Sequence, residues 1–154
     1  MRSSSFPINS HLEVVVDILV FIGRILFVIL FFTSAFGHLG QTEKMVEYTK
    51  SKGVPAPRPM TLGSGFLLLI AGLSILFGVW ADLGALLLFF FLVATAVLMH
   101  PFWKEKTTGG RELEMINFQK DLALAGASLM LFALFAYAGS DLGLMISRPA
   151  VSLG

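Results

Sequence analysis

VVVDILVFIGRILFVILFFTSAF, residues 14–36, is an apolar run broken only by Asp17, Arg24 and a few small polar residues. A hydrocarbon core about 30 Å thick needs roughly 20 apolar residues at 1.5 Å of rise each, so this stretch of about 23 residues crosses a bilayer with some tilt. It is too long, and too interrupted by charge, for a cleavable signal peptide, and no A-x-A site follows it. It reads as a retained helix.

Three further runs follow, at about 61–80, 82–99 and 117–138. With 56% hydrophobic and 14% charged residues and a mean hydropathy of +0.82, the chain has too little polar surface to cover a soluble globule. The fold class that follows is all-α, a transmembrane four-helix bundle. Four spans nearly exhaust 154 residues, so 1–154 form a single integral membrane domain. Its Ser-rich opening, residues 1–11 with Pro7, reads as a flexible tail.

The gaps have their own character. Gln41 to Tyr48 suits a short interfacial helix before Gly53, and the prolines at 55, 57 and 59 make Val54–Pro59 a stiff, non-helical connector. Span two is rich in small residues that allow close helix approach, and spans two and three, almost contiguous, form a tight hairpin. Gly109-Gly110 in the last gap reads as a hinge. Lys44, Lys50, Lys52 and Arg58 in the first gap and Lys104, Lys106 and Arg111 in the third share one side, against Arg2 and Arg148 on the other. The positive-inside rule therefore puts loops 37–60 and 100–116 in the cytoplasm and both termini outside. Basic residues confined to membrane-flanking loops, and a net charge of +1, offer no surface for nucleic acid. The partner they imply is the lipid bilayer.

Chemistry is sparse. The chain has no cysteine, which excludes a thiolate-held iron–sulfur cluster, a CxxC redox pair and covalent haem attachment, so any redox role borrows its cofactor. No metal-ligand motif, phosphate loop or nucleophile elbow is present. Arg24, about ten residues into span one, lies close to the bilayer midplane by count, where a charge costs roughly 3–17 kcal/mol unless it faces the bundle interior, a partner or water. Asp17 is on the same face about 10 Å away along the axis. The two are either a structural ion pair or part of a proton, quinone or substrate contact. Asn117, Lys120 and Asp121 enter span four at the end where His38 and His100 close spans one and three. Asp121 would lie about 12 Å from Arg24 in depth, giving a polar track into the membrane. A solvated rim is the plainer reading for Lys120, and contact with terminal carbonyls the plainer one for the two histidines, which could otherwise hold a haem.

Gly23-Arg24-Ile25-Leu26-Phe27, Ser34-Ala35-Phe36-Gly37-His38-Leu39, Gly53-Val54-Pro55-Ala56-Pro57, His100-Pro101-Phe102-Trp103 and Asn117-Phe118-Gln119-Lys120-Asp121-Leu122-Ala123 together resemble the patterns of the DoxX family of small four-span membrane proteins. The resemblance covers about 22–138. Family members often carry a Glu in helix two where this chain has Leu68, and an Asn where it has Asp121. The resemblance implies an accessory or anchoring subunit of a membrane redox complex, with protein partners, a quinone as the non-covalently bound cofactor, and no metal. Its polar intramembrane site would be Asp17, Arg24, Asn117, Lys120 and Asp121, with His38, His100 and Trp103 as loop-side contacts. The alternative is a small transporter or lipid/cargo-binding protein using the Arg/Asp track. The expected placement is multi-pass in an inner or plasma membrane. A C-terminal reporter that fluoresces only in the cytoplasm should stay dark, and one inserted at Gly109 should shine; the reverse pattern would invert the orientation.

Overall fold

The structure, a computed structural model, describes residues 10–153. The first nine residues of the expected tail lie outside the described residues, and Ser10 and His11 already belong to the first helix. Five helices follow one another, α1 (Ser10–Gly40), α2 (Thr42–Ser51), α3 (Pro57–Phe77), α4 (Ala81–Met99) and α5 (Thr108–Ala138), with one 3-10 turn (Phe102–Lys104) before α5. Four of them are long and apolar enough to cross a membrane. Of the most apolar window of each, only 17–33% is buried inside the protein, so residues such as Leu26, Phe36, Phe66, Ile70, Phe90 and Met130, all largely exposed, face hydrocarbon rather than water. This is a four-helix integral membrane protein in contact with the bilayer.

Two boundaries differ from the sequence reading. Residues 57–59 are helical, because Pro57 stands at the first helical position and Pro59 still lies in the first turn, where backbone N–H groups have no carbonyl to meet. The helix α5 begins at Thr108, nine residues before the apolar run. Thr107 caps it by accepting a hydrogen bond from the Gly110 N–H at 3.2 Å, so Gly109-Gly110 is a first helical turn and not a hinge.

Packing is sequential. Helix α1 lies on α3, α3 on α4 and α4 on α5, with α2 across the start of α3. The helices α1 and α5, which would close the ring, do not pack on one another to a comparable extent. Close approach of α1 to α3 depends on two glycines two turns apart. A Cβ on Gly65 would meet Leu39 at 2.9 Å, and one on Gly72 would meet Phe32 at 2.6 Å. Val28, Phe31, Ala35, Leu68, Ile75, Leu88 and Phe135 form the core between them.

Arg24 is 1% exposed and binds carbonyls. Its Nε donates to Ile75 O at 2.8 Å, Nη2 donates to Leu76 O, and both Nη atoms donate to Leu144 O at 3.0 Å. Ile75 and Leu76 belong to the last turn of α3, whose final carbonyls have no partner within the helix. Arg24 therefore sits level with the α3–α4 turn at one end of the bundle, not at its midplane. Counting from Val14 misplaced it because α1 is about 46 Å long at 1.5 Å per residue and overhangs the other helices. The chain after α5 folds over the same end: Ile146 and Ser147 N–H donate to Phe77 O and Gly78 O, Asp17 accepts from Gly143 N–H at 2.7 Å, and Asp82 accepts from Ala150 and Val151 N–H at 3.1 and 2.8 Å.

Replacing Arg24 by Leu strands the buried Ile75 carbonyl and the part-buried Leu76 and Leu144 carbonyls, which should destabilise the protein by about 2 kcal/mol in thermal unfolding and speed hydrogen exchange at Gly143, Ile146, Ala150 and Val151 together. Asp82→Ala should speed exchange at Ala150 and Val151 alone.

Candidate functional site

Where α1 and α5 fail to close the ring, a cavity of about 360 Å³ opens at the loop end of the bundle. Leu30, Phe31, Leu68, Phe91, Leu92 and Leu124 make its apolar wall, and Leu30, Met60 and Leu98, all exposed, carry the lining out to the lipid-facing surface. His38, Ser64, Tyr48, Thr49, His100, Lys120 and Asp121 gather the polar groups.

Most of these are held by neighbours. His38 Nδ1 lies 2.6 Å from Ser64 Oγ and 3.3 Å from Thr61 O, an α1-to-α3 tie one turn from the end of α1. Thr49 and Thr61 hydroxyls meet at 3.0 Å and dock α2 on α3. Across the cavity, His100 Nδ1 donates to Glu114 Oε2 at 2.8 Å, and Glu114 Oε1 accepts from Lys52 Nζ at 2.7 Å. His100 Nε2 stands 3.7 Å from Asp121 Oδ2, and Lys120 Nζ stands 3.7 Å from Asp121 Oδ1. Asp121 is 4% exposed, and its Oδ2 is buried without a hydrogen-bond partner. Most buried polar atoms are paired, which sets this oxygen apart from the other polar groups of the cavity.

Lys52 and Tyr48 lie on the loop side, outside the spans. Burial pulls the Lys52 ammonium down, but the hydrogen bond to Glu114 and the negative fields of Tyr48, Glu114 and Glu105 hold it above the ordinary lysine value. Burial pushes the Tyr48 hydroxyl up; Lys52 opposes this, while Glu114 and Asp121 add to it.

The expected site residues divide. His38, His100, Lys120 and Asp121 line one cavity. Asn117 stands beside it, accepting from Lys120 Nζ at 3.3 Å. Trp103 packs edge-on against Phe102 and Phe118, at 5.1 and 5.9 Å between ring centres, and does not line the cavity. Arg24 and Asp17 are at the opposite end. No ion pair joins Arg24 to Asp17 or Asp121 among the described residues, and Val28, Phe31, Leu68, Leu88 and Leu92 fill the core between. The Asp17–Arg24–Asp121 track is thus two separate polar sites, because each charge is taken up by groups at its own end. Sequence reading missed Glu114, Lys52 and Asp82. The first was legible in principle, since Glu114 stands two turns before Asp121 once α5 is extended back to Thr108.

The DoxX family model matches residues 19–101, more than half of the chain. The chain belongs to the DoxX family. It is also 31% identical over 114 residues to the inner membrane protein YphA of Escherichia coli (strain K12), an alignment covering 74% of this chain and 81% of that relative. No solved structure matches. Within this DoxX-family chain the matched residues include Arg24, His38, Leu68 and His100, whereas Asp121 lies beyond them. Leu68, where family resemblance would put an acid, lines the same cavity as Asp121, a carboxylate on a different helix.

A double-mutant cycle on Lys52→Met and Glu114→Gln should give a coupling of about 1 kcal/mol, since both side chains are largely shielded from solvent. A lysine pKa raised by folding contributes stability that is fully present at neutral pH and lost only as pH rises through the folded value, above about 10.4. The coupling measured by unfolding should be full at pH 7 and smaller at pH 11.

Proposed function

We propose that this DoxX-family protein is the quinone-binding membrane subunit of a redox assembly in the inner membrane, holding the quinone in the cavity between α1 and α5 while a protein partner handles the electrons. The observation that carries this reading is a cavity with an apolar wall reaching the lipid face and a set of His, Asp and Tyr groups at its loop end. A quinone is such a molecule in reverse, with an isoprenoid tail that belongs in lipid and a ring whose oxygens need hydrogen bonds. Small-molecule sites typically combine this apolar lining with a few fixed polar groups. The residues fit the cofactor on one further count, since the orphaned Asp121 oxygen and the open cavity lie together. His100 and His38 would hold the ring oxygens, and Phe31, Phe91 and Leu68 would flank the ring. The quinone, when bound, supplies reversible two-electron chemistry; the chain supplies binding, exclusion of water and a polar line from Asp121 through His100 and Glu114 to Lys52.

The placement in an inner membrane draws support from the name of the Escherichia coli relative, and the cytoplasmic position of loops 37–60 and 100–116 from their basic residues. The cavity would then open near the cytoplasmic leaflet. Purification in mild detergent should return quinone and a redox partner together. Ser34→Phe, which adds bulk to the cavity lining, should lose at least about nine-tenths of the quinone and keep the partner, because one bulky side chain in a close-packed site displaces its occupant. A protein that purifies alone, with neither, would remove the basis for this reading.

A further inference from the structure

At the opposite end of the bundle, the α3–α4 turn carries a strained aromatic. Trp80 stands at φ 47° and ψ 46°, a left-handed conformation that L side chains rarely adopt. Its surroundings hold it there: the N–H donates to Ser147 Oγ at 2.9 Å, and the carbonyl accepts from Ser74 Oγ at 3.0 Å and from Gly84 N–H at 3.1 Å. Glycine would relieve the strain, as it does two residues earlier at Gly78, φ 66°. What tryptophan adds is an indole, 57% exposed, and strain of this kind persists where the side chain is needed.

The indole lines a groove of about 420 Å³ between α3 and α4. Its floor is made of small residues, Ala71, Ser74 and Gly84, packed so closely that a Cβ on Gly84 would meet Ser74 Oγ at 2.5 Å. Exposed Ile70, Phe77 and Leu83 form the rim. The Ser74 hydroxyl turns away to Val79 O and Trp80 O, which leaves the groove apolar. In a bilayer hydrocarbon fills such a groove, since its rim faces lipid. Beyond the turn, Ser147 N–H donates to Gly78 O at 3.0 Å, which brings the next residue, Arg148, to the groove's aqueous end. Arg148 is exposed and makes no ion pair among the described residues. The nearby carboxylate of Asp82 does not compete for it, being fully buried with both oxygens on Ala150 and Val151 N–H.

We infer that this groove binds one anionic phospholipid, an acyl chain lying over Ala71, Ser74 and Gly84 and the phosphate accepting from Arg148 and from the Trp80 indole N–H. Tryptophan belongs at the headgroup level of a bilayer, and an unpaired guanidinium matches a phosphate with two parallel donors. The order is the one a lipid requires, apolar groove inward and donors outward. The site is separate from the loop-end cavity and does not depend on what that cavity holds.

The test uses full-length protein carrying Trp103→Phe, which leaves Trp80 as the one tryptophan of the two, reconstituted in phosphatidylcholine vesicles. A minor fraction of the lipid carries brominated chains, which quench a tryptophan they touch, on either a phosphatidylglycerol or a phosphatidylcholine headgroup. Quenching of Trp80 should show the phosphatidylglycerol binding about fivefold more tightly, the scale of one arginine at an anionic headgroup. Arg148→Gln, a change at an exposed side chain, should bring the two lipids level. Equal binding while Arg148 is present, or a preference that survives Arg148→Gln, would overturn the site. A Trp80 that neither lipid quenches would also overturn it, and would assign the groove to a protein partner or a second copy. The comparison of the two lipids with Arg148 in place decides the matter even if the Gln variant does not fold.

Discussion

The bundle depends on how one buried guanidinium is satisfied. Arg24 uses its donors on Ile75 O, Leu76 O and Leu144 O and lies 3.1 Å from Met145 Sδ, with the Phe21 ring 5.3 Å away. The first two carbonyls carry the negative end of the α3 dipole, so a cation there needs no carboxylate of its own. Ser74 O accepts from Val79 N–H and Phe77 O from Ile146 N–H, which completes the last turn of α3. In a membrane, where water cannot relieve a stranded carbonyl, this accounting is compulsory. It also fixes the path of the C-terminal segment. Leu144 is held at φ 58°, a left-handed conformation costing a β-carbon about 1–2 kcal/mol, and its carbonyl is the one that Arg24 grips twice.

Asp82 and Asp17 extend the same logic. Asp82 lies in the first turn of α4, where a carboxylate favours the positive helix end, and it spends both oxygens on backbone N–H groups of the tail. Three charged side chains therefore stitch the terminal segment over the α3–α4 turn through backbone groups, and none of them is free to serve a ligand. The consequence for function is a polarised molecule. At one end the chain folds back over the α3–α4 turn; the other holds the cavity with His38 and His100 and, among the described residues, the one orphaned carboxylate oxygen.

That polarity explains why Arg24 looked like a site residue. A mid-span arginine in an apolar run has two readings, a ligand contact or a packing pin, and the residues within one helix do not distinguish them. Asp17, on the same helical face, appeared to be its partner, yet the oxygen it offers is taken by Gly143, 126 positions away. Asp121 was the better signal. It was legible as an acid in an apolar helix beside Lys120, but its distance from His100 and the lack of a partner for Oδ2 could not be read from spacing. Glu114 was hidden by the assumption that α5 begins where hydropathy rises. The helix starts a full nine residues earlier because Thr107 supplies a cap and helices do not stop at a membrane boundary.

The sequence by itself determined the membrane class, the four spans and the clustering of His38, His100 and Asp121 at one end. These follow from local quantities: apolar length against bilayer thickness, and position along a helix of fixed rise. Only the tertiary structure decided which charge meets which group. Partner choice depends on the depth at which helices stagger, here set by Gly65 and Gly72 letting α1 slide closely along α3, and on a C-terminal segment whose contacts with Asp82 and Asp17 lie 68 to 126 residues away. It also decided that α1 and α5 stand apart, and that gap, not any motif, makes the cavity.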